Sequence, residues 1–327
     1  MSVRLISYQS NLQEQWDEAV EQMRNATFLH LRRFMDYHAE RFVDASLLFA
    51  VNNNIRGLLP ANYSEQSRRI CAHQGLTYGG LLVHDKANYT HVDAMLHMAR
   101  AYYKQVYPKA KELVLKPTPY IYHRACSEEL LYWLHQHGAT LSARAISSCI
   151  MLDSSTAVFS TLRRRRLKKA QQQSWQTRWL DVTNASDLLR LNHFWNLLTH
   201  TLLTQHGVAP IHTLLEIQAL WSNFPKHIHI ILVEECHTQQ VIAGTVLFDA
   251  LPTRHVQYIA NSAYGRESGA LELLFDTIIK VSLGHFTYFD FGISTEQGGT
   301  LLNEGLLFQK EGFGARGVCY DTYTLPL

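Results

Sequence analysis

The chain has 327 residues, 46% of them hydrophobic and 18% charged, with a formal net charge of +2. Such a length and apolar fraction suit two packed domains and exclude a disordered or fibrous protein. The charge is also not spread evenly, because Arg163, Arg164, Arg165, Arg166, Lys168 and Lys169 crowd into one short run.

No apolar run reaches the roughly 20 residues that a membrane helix needs. The polar, acidic stretch from Met1 to Gln22 lacks the apolar region of an export signal, so a cytoplasmic protein with no membrane span is expected. Cys71, Cys126, Cys149, Cys236 and Cys319 are odd in number and far apart, which fits reduced, buried thiols. There is no HExxH and no CxxC motif. The nearest approach to a chelating pair is His227 and His229 on one strand face, and no metal is expected.

In chain order, Val3 to Ser7 reads as a strand, Leu12 to Met23 as a helix, and Phe28 to Phe42 as a second helix with an aromatic face. A hairpin follows, SLLFAV and IRGLLPANY joined at Asn52 to Asn54, then a strand from Leu76 to Val83. Helix Val92 to Tyr107, strand Leu113 to Lys116, helix Glu128 to His137 and strand Thr140 to Leu152 complete the first half.

The second half repeats this order. A basic helix from Phe159 to Gln173 leads to strand Arg178 to Val182 and to helices Ala185 to Thr204 and Ile211 to Trp221. The hairpin returns as IHIILVEE and VIAGTVLFDA, so that Ile55-Arg56-Gly57 is mirrored by Ile242-Ala243-Gly244 and Thr77-Tyr78 by Gln257-Tyr258. The expected domains are residues 1–154 and 155–327, each an α/β unit with a mixed sheet.

Residues His255 to Gly314 carry the most chemistry. A strand to Asn261, a polar turn from Tyr264 to Ala270 and an amphipathic helix from Leu271 to Leu283 place Arg266, Ser268 and Gly269 at a helix N-terminus. Unpaired N–H groups and the positive dipole end favour an anion there, and a phosphate-bearing ligand is expected. The first half offers no such turn, since HDKANYTHVD has no glycine, so one donor site per chain is expected.

The turn Arg266-Glu267-Ser268-Gly269-Ala270, the phrases FDFGIST and LNEGLLFQKEGFGARG, and the earlier HQGLTYGG together resemble the GNAT N-acetyltransferase superfamily, in its tandem, Fem-type branch. The resemblance implies two tandem GNAT-like domains, each a mixed β-sheet flanked by helices. It implies an N-acyltransferase that uses acyl-CoA, acetyl-CoA first among them, and an amine acceptor on a cell-envelope or polysaccharide precursor. In such a protein Gln257, Tyr258 and Ile259 would pair with the pantetheine arm, and Arg266, Ser268, Gly269 and Ala270 would cradle the pyrophosphate. Some Fem-type relatives take aminoacyl-tRNA instead, which stands as one alternative; a non-catalytic binding module on the same fold is another.

Transfer to an amine needs a proton acceptor and oxyanion stabilisation. Asp290, Glu296 and Glu304 are the candidate bases, and Tyr320 is a candidate proton donor to a leaving thiolate. Each also has a plain structural reading: a buried partner, a loop cap, a first-turn acid and a packed strand tyrosine. His73, Gln74, Tyr78 and Lys116 are the candidate acceptor-binding residues in the first half. The basic run reads either as a tRNA contact or as a solvated linker helix, and successive residues about 100° apart favour the linker.

Overall fold

The computed structural model describes residues 3–153 and 159–327. The chain divides into two units, one made of Met1–Ile146, Thr295–Leu302 and Val318–Leu327 and the other of Ser147–Ser294 and Asn303–Gly317. The boundary expected between residues 154 and 155 lies outside the described residues.

The first unit runs β1 (Val3–Ser7), α1 (Gln13–Gln22), α2 (Arg32–Met35), β2 (Val43–Asp44), β3 (Leu47–Val51), β4 (Asn54–Leu59), β5 (Asn62–Ser64), β6 (Arg69–Ala72), β7 (Leu82–Val83), α3 (Tyr89–Val106), β8 (Glu112–Leu115), α4 (Glu129–Gln136) and the start of β9 (Thr140–Met151). Strands β1, β3, β4 and β7 form an antiparallel ladder. The β3–β4 turn holds Asn52 at φ 50° and Asn53 at φ 63°, the two-residue left-handed geometry that asparagine tolerates and tight hairpins require. Strand β6 runs parallel to β8 and antiparallel to β5.

The second unit contains α5 (Thr161–Ala170), β10 (Trp175–Trp179), α6 (Ala185–His206), α7 (Leu214–Asn223), β11 (Ile228–Glu235), β12 (Val241–Ala250), β13 (Thr253–Asn261), α8 (Ala263–Ser268), α9 (Ala270–Ser282) and β14 (Tyr288–Ile293). The short pair β15 (Thr295–Glu296) and β16 (Leu301–Leu302) falls in first-unit residues, α10 (Glu304–Glu311) in the second unit, and most of β17 (Arg316–Pro326) in the first, where it pairs with β8. In the second unit the strand order is β10-β11-β12-β13-β14-β9.

Each unit has its own core. In the first, Val92, Met95, Leu96, Ala99 and Tyr103 of α3 pack with Leu47, Phe49, Leu59 and Leu113. In the second, Leu271, Leu274, Phe275, Ile278 and Ile279, the apolar stripe of α9, pack with Ile231, Val233, Leu247, Val256, Phe289 and Phe291. Fully burying each such side chain contributes about 1.5–3 kcal/mol, an upper bound because the unfolded chain already hides some of that surface.

The structure alters three of the expected elements and the expected burial of the cysteines. Phe28 to Phe42 is not one helix but two 3₁₀ turns around α2, because Arg32 is drawn inside, paired with Asp44 and laid over the Tyr8 and Trp16 rings. The strand expected from Leu76 to Val83 shrinks to β7. The polar turn from Tyr264 to Ala270 is mostly helix α8, capped by the Ser262 hydroxyl. Three of the five cysteines, Cys126, Cys236 and Cys319, are exposed, while Cys71 and Cys149 are buried. Among the described residues no helix is long and apolar enough to cross a membrane.

Candidate active site

In the second unit the ladder between β13 and β14 is short. Parallel pairing joins Thr253 to Tyr288, Arg254 to Phe289 and His255 to Asp290, and then stops. Beyond that point β13 stays with β12 as far as Asn261, and β14 stays with β9 through the pairing of Ile293 with Ser147. The strands therefore part like the arms of a V, and the backbone of residues 256–261 has no ladder partner on its β14 side.

A bulge explains the parting. Val246 faces Tyr258 and Leu247 faces Val256, which leaves Gln257 as the extra residue on β13. One extra residue bends the strand and increases its local twist. Tyr258 anchors the bent segment, with its hydroxyl 2.6 Å from His212 Nδ1 and its ring edge-on to Trp195. Burial raises the Tyr258 pKa, so this phenol stays protonated.

A polar cluster sits where the two arms meet. Phe289 and Phe291 belong to the core against α9, so Asp290 between them points to the other sheet face. Asp290 is fully buried; one carboxylate oxygen lies 2.7 Å from His255 Nδ1 and the other accepts from the Ser147 hydroxyl at 2.5 Å. An imidazole donating from Nδ1 to a carboxylate keeps its lone pair on Nε2, the arrangement of a positioned acid–base group. Gly292, at φ +78°, runs beside that ring; a Cβ there would lie 3.3 Å from His255 Cε1.

Lys310 of α10 completes the cluster. Its Nζ donates to the carbonyls of Gly292 and Ile293, both at 2.8 Å, and the residue is only 3% exposed. Burial pulls its pKa down to about 8, against the opposing pull of the Asp290 charge. A buried ammonium at the end of β14 can donate to a developing oxyanion and exchange a proton near neutral pH.

The turn read as the pyrophosphate cradle has another occupant. Gly269 does adopt φ +88°, but a Cβ there would meet the Arg166 carbonyl oxygen at 2.4 Å, so α5 already covers the glycine. In the first turn of α9, Glu272 is buried and paired with Arg163. The Arg166 carbonyl oxygen thus lies beside Gly269, and the Glu272 carboxylate is taken up by Arg163, with Arg166 3.8 Å away. Arg266 donates to the Asn261 carbonyl, Ser268 is buried, and Ala270 lies within the α9 core. The residues expected to form the cradle, Arg266, Ser268, Gly269 and Ala270, thus all make contacts within the second unit.

The basic run also changes meaning. It is not a solvated linker: α5 packs against the second unit through Arg163, whose guanidinium also lies over the Phe313 ring. Arg164, Arg165, Lys168 and Lys169 are exposed. At 100° per residue these four span an arc of only about 140°, one face of the helix.

The other candidate residues are dispersed. Among the bases, Asp290 enters the cluster; Glu304 is exposed in the first turn of α10, and Glu296 is exposed on β15 in first-unit residues. The structure does bring Tyr320 and Tyr78 together: Tyr320 shares a 2.8 Å hydroxyl contact with Tyr122, and both rings lie against Tyr78. His73, Gln74 and Tyr78 form bonds inside the first unit, to the Gly75 N–H, to Asn62 and to the Thr27 hydroxyl. Burial pulls the His73 pKa to about 3. Lys116 donates to the Leu76 carbonyl at 2.6 Å, and burial lowers its pKa too.

No protein-family model and no curated protein sequence matches this chain. Solved structures do. FemX superposes with a TM-score of 0.71 at 12% identity, over 99% of this chain and 97% of FemX. L-PGS from Bacillus licheniformis gives a TM-score of 0.53 at 9% identity, over 86% of this chain and 83% of its own. A tandem GNAT protein from the clavulanic acid biosynthesis pathway gives 0.50 at 9% identity, over 99% and 98%. With the parted strands and the two α/β units, these likenesses show that the chain has the tandem GNAT-like fold in its Fem-type form.

Proposed function

We propose that this protein is a GNAT-like transferase that moves an activated acyl group onto an amine, with the donor end lying along the unpaired edge of β13. The single observation that carries the reading is the V between β13 and β14, with His255, Asp290 and Ser147 at its apex and Lys310 on the β14 arm. The β13 edge from Val256 to Ala260, Gln257, Tyr258 and Ile259 among its residues, is unpaired on its β14 side and offers backbone groups there to an extended donor chain. His255, held by Asp290, takes the proton from the attacking amine. Lys310 stabilises the oxyanion and returns a proton to the leaving oxygen or sulfur.

Between the two donors, the closed turn at Gly269 favours aminoacyl-tRNA over acyl-CoA. A pyrophosphate finds a carbonyl and a carboxylate there, whereas a nucleic-acid backbone finds Arg164, Arg165, Lys168 and Lys169 on one exposed face. The acyl-CoA reading keeps one supporting observation, the same unpaired β13 edge. The acceptor is an amine on a cell-envelope or polysaccharide precursor, the substrate class that the resemblance implies.

The test offers the protein acetyl-CoA and a pool of aminoacylated tRNA in parallel and measures binding against salt. Stabilisation by tRNA should weaken with salt at a slope of about −0.7 to −0.9 per phosphate contacted. Replacing all four α5 cations by Gln should flatten it. Stabilisation by acetyl-CoA alone, which at 100 times its dissociation constant adds about 2.7 kcal/mol, would return the donor to CoA. A response to neither, with no group transfer, would leave a binding module.

A further inference from the structure

Asp93 and His97 lie one helical turn apart on α3, and His137 follows the last residue of α4. One ligand atom from each, a carboxylate oxygen and two ring nitrogens, lies within 4.8 Å of the others. We propose that Asp93, His97 and His137 form a three-ligand site for a divalent transition cation of the Zn²⁺ class, with a solvent position completing the coordination.

Two independent features support this. First, His97 Nε2 and the Asp93 carboxylate are 3.3 Å apart. Two ligands bound tetrahedrally at about 2.0–2.1 Å are separated by about 3.3–3.4 Å, so this edge of a zinc polyhedron is already formed. Second, Trp133 orients two of the ligands as an outer shell does. Its indole N–H donates to Asp93 at 3.0 Å, and its backbone carbonyl lies 2.8 Å from His137 Nδ1. With the proton on Nδ1, Nε2 becomes the lone-pair nitrogen of His137. The indole also stacks on the His137 ring, centroids 4.0 Å apart, and meets His97 edge-on.

The donor set narrows the ion. Two imidazoles and one carboxylate suit Zn²⁺ and its late first-row neighbours and discriminate against Mg²⁺ and Ca²⁺, which prefer all-oxygen shells. Trp133 is fully buried, whereas the side chains of His97 and Asp93 are 53% and 39% exposed. The frame is rigid and the ligands are open to exchange with solvent. The bound ion would clip the first half of α3 to the end of α4, a role separate from the cluster of the second unit.

Calorimetry of the full chain with Zn²⁺, repeated with Mg²⁺, tests the site. We expect about one Zn²⁺ per chain, no Mg²⁺ heat, and a melting temperature that rises with Zn²⁺. His97→Ala, at a half-exposed position, should weaken Zn²⁺ by more than the 10–100-fold that outer-shell partners cost. His137→Ala should do the same, and His200→Ala on α6 should leave binding intact as a control for the many other histidines. No Zn²⁺ binding by the wild type, or binding undiminished in both His97→Ala and His137→Ala, would overturn the proposal. Transfer activity is not the readout, so this result stands apart from the donor question.

Discussion

The two units carry the same hairpin and treat the next strand in opposite ways. In the second unit that strand, β13, is one piece, bent at Gln257 and left open along the edge facing β14. In the first unit its counterpart is cut in two: β6 pairs with β8, β7 pairs with β4, and residues 73–81 bridge the gap as loop. The groups in that gap, His73, Gln74 and Tyr78, satisfy one another's neighbours. One copy keeps its backbone unspent at the opening, and the other fills the opening with its own side chains. The contrast teaches that a duplicated sheet can retain its architecture while only one copy keeps an unpaired strand edge at this position.

Each unit has a lysine whose Nζ donates to backbone carbonyl oxygen, Lys310 fully buried and Lys116 partly so, and substituting each in turn gives the sharpest test. Lys310→Met should lower the transfer rate by about 10²–10³, the usual cost of removing an oxyanion donor. Lys116→Met should leave the rate within a few-fold, since Lys116 donates to the Leu76 carbonyl within the first unit. Equal losses in a single-turnover assay would erase the functional distinction between the units.

Acid should separate the two units next. Burial holds the pKa of His30 at about 4 and that of His73 at about 3, both below the ordinary imidazole value. Between those values and about 6.5 the unfolded chain binds more protons than the folded one, so stability falls as the pH drops through this window. We expect a loss of about 5 kcal/mol by pH 4.5, about half from each histidine, seen in urea midpoints, and a reduced loss in the double variant His30→Asn/His73→Asn. An unchanged acid profile in that variant would detach the effect from the first unit.

Alkali should act in the other direction on the second unit. The Lys310 pKa of about 8 lies below the ordinary value of 10.5, so in this range the folded state holds fewer protons and stability rises with pH. Between pH 8 and 10 the gain should be roughly 2 kcal/mol. It should vanish in Lys310→Met; a rise that survives in that variant belongs to another group.

The smallest effects concern the mirrored glycines. An added Cβ at Gly57 would press mainly on the flexible end of Met95, whereas at Gly244 it would press on Leu232 and the Phe194 ring. Gly244→Ala should cost about 1–3 kcal/mol as an overpacked site and Gly57→Ala less than 1 kcal/mol, read from thermal unfolding. The reverse order would mean that the two hairpins are not packed as counterparts.

The alternation of apolar residues was enough to read the two halves, the repeated hairpin and most helices, because those patterns are local. It also put Asp290 on the face opposite Phe289 and Phe291. Partners distant in sequence stayed hidden. Nothing in the spacing links Ser147 to Asp290, or Lys310 to the carbonyls of Gly292 and Ile293, since those contacts depend on where β9 and α10 return. The surroundings of the glycine turn were hidden for the same reason. Its own residues have the chemistry of an anion site, and the group that closes it, the Arg166 carbonyl, comes from a helix whose charges suggested solvent. Likewise Asp93 and His97 show a one-turn spacing, but His137 joins them only through the packing of α3 on α4.

The division of the chain has a consequence for its biosynthesis. Most of the first unit precedes the second in the chain, yet it lacks Val318–Leu327 until the second unit has been almost wholly translated. At about 5–20 residues per second, the interval from residue 147 to residue 317 lasts roughly 10–30 s. During that time β8 leaves the ribosome without β17, an open strand edge in a crowded cell. The second unit, continuous except for residues 295–302, can form first. A chain stopped after residue 317 should therefore yield a protease-resistant second unit beside a digestible first one, and nascent chains of this length are natural clients for chaperones that shield strand edges.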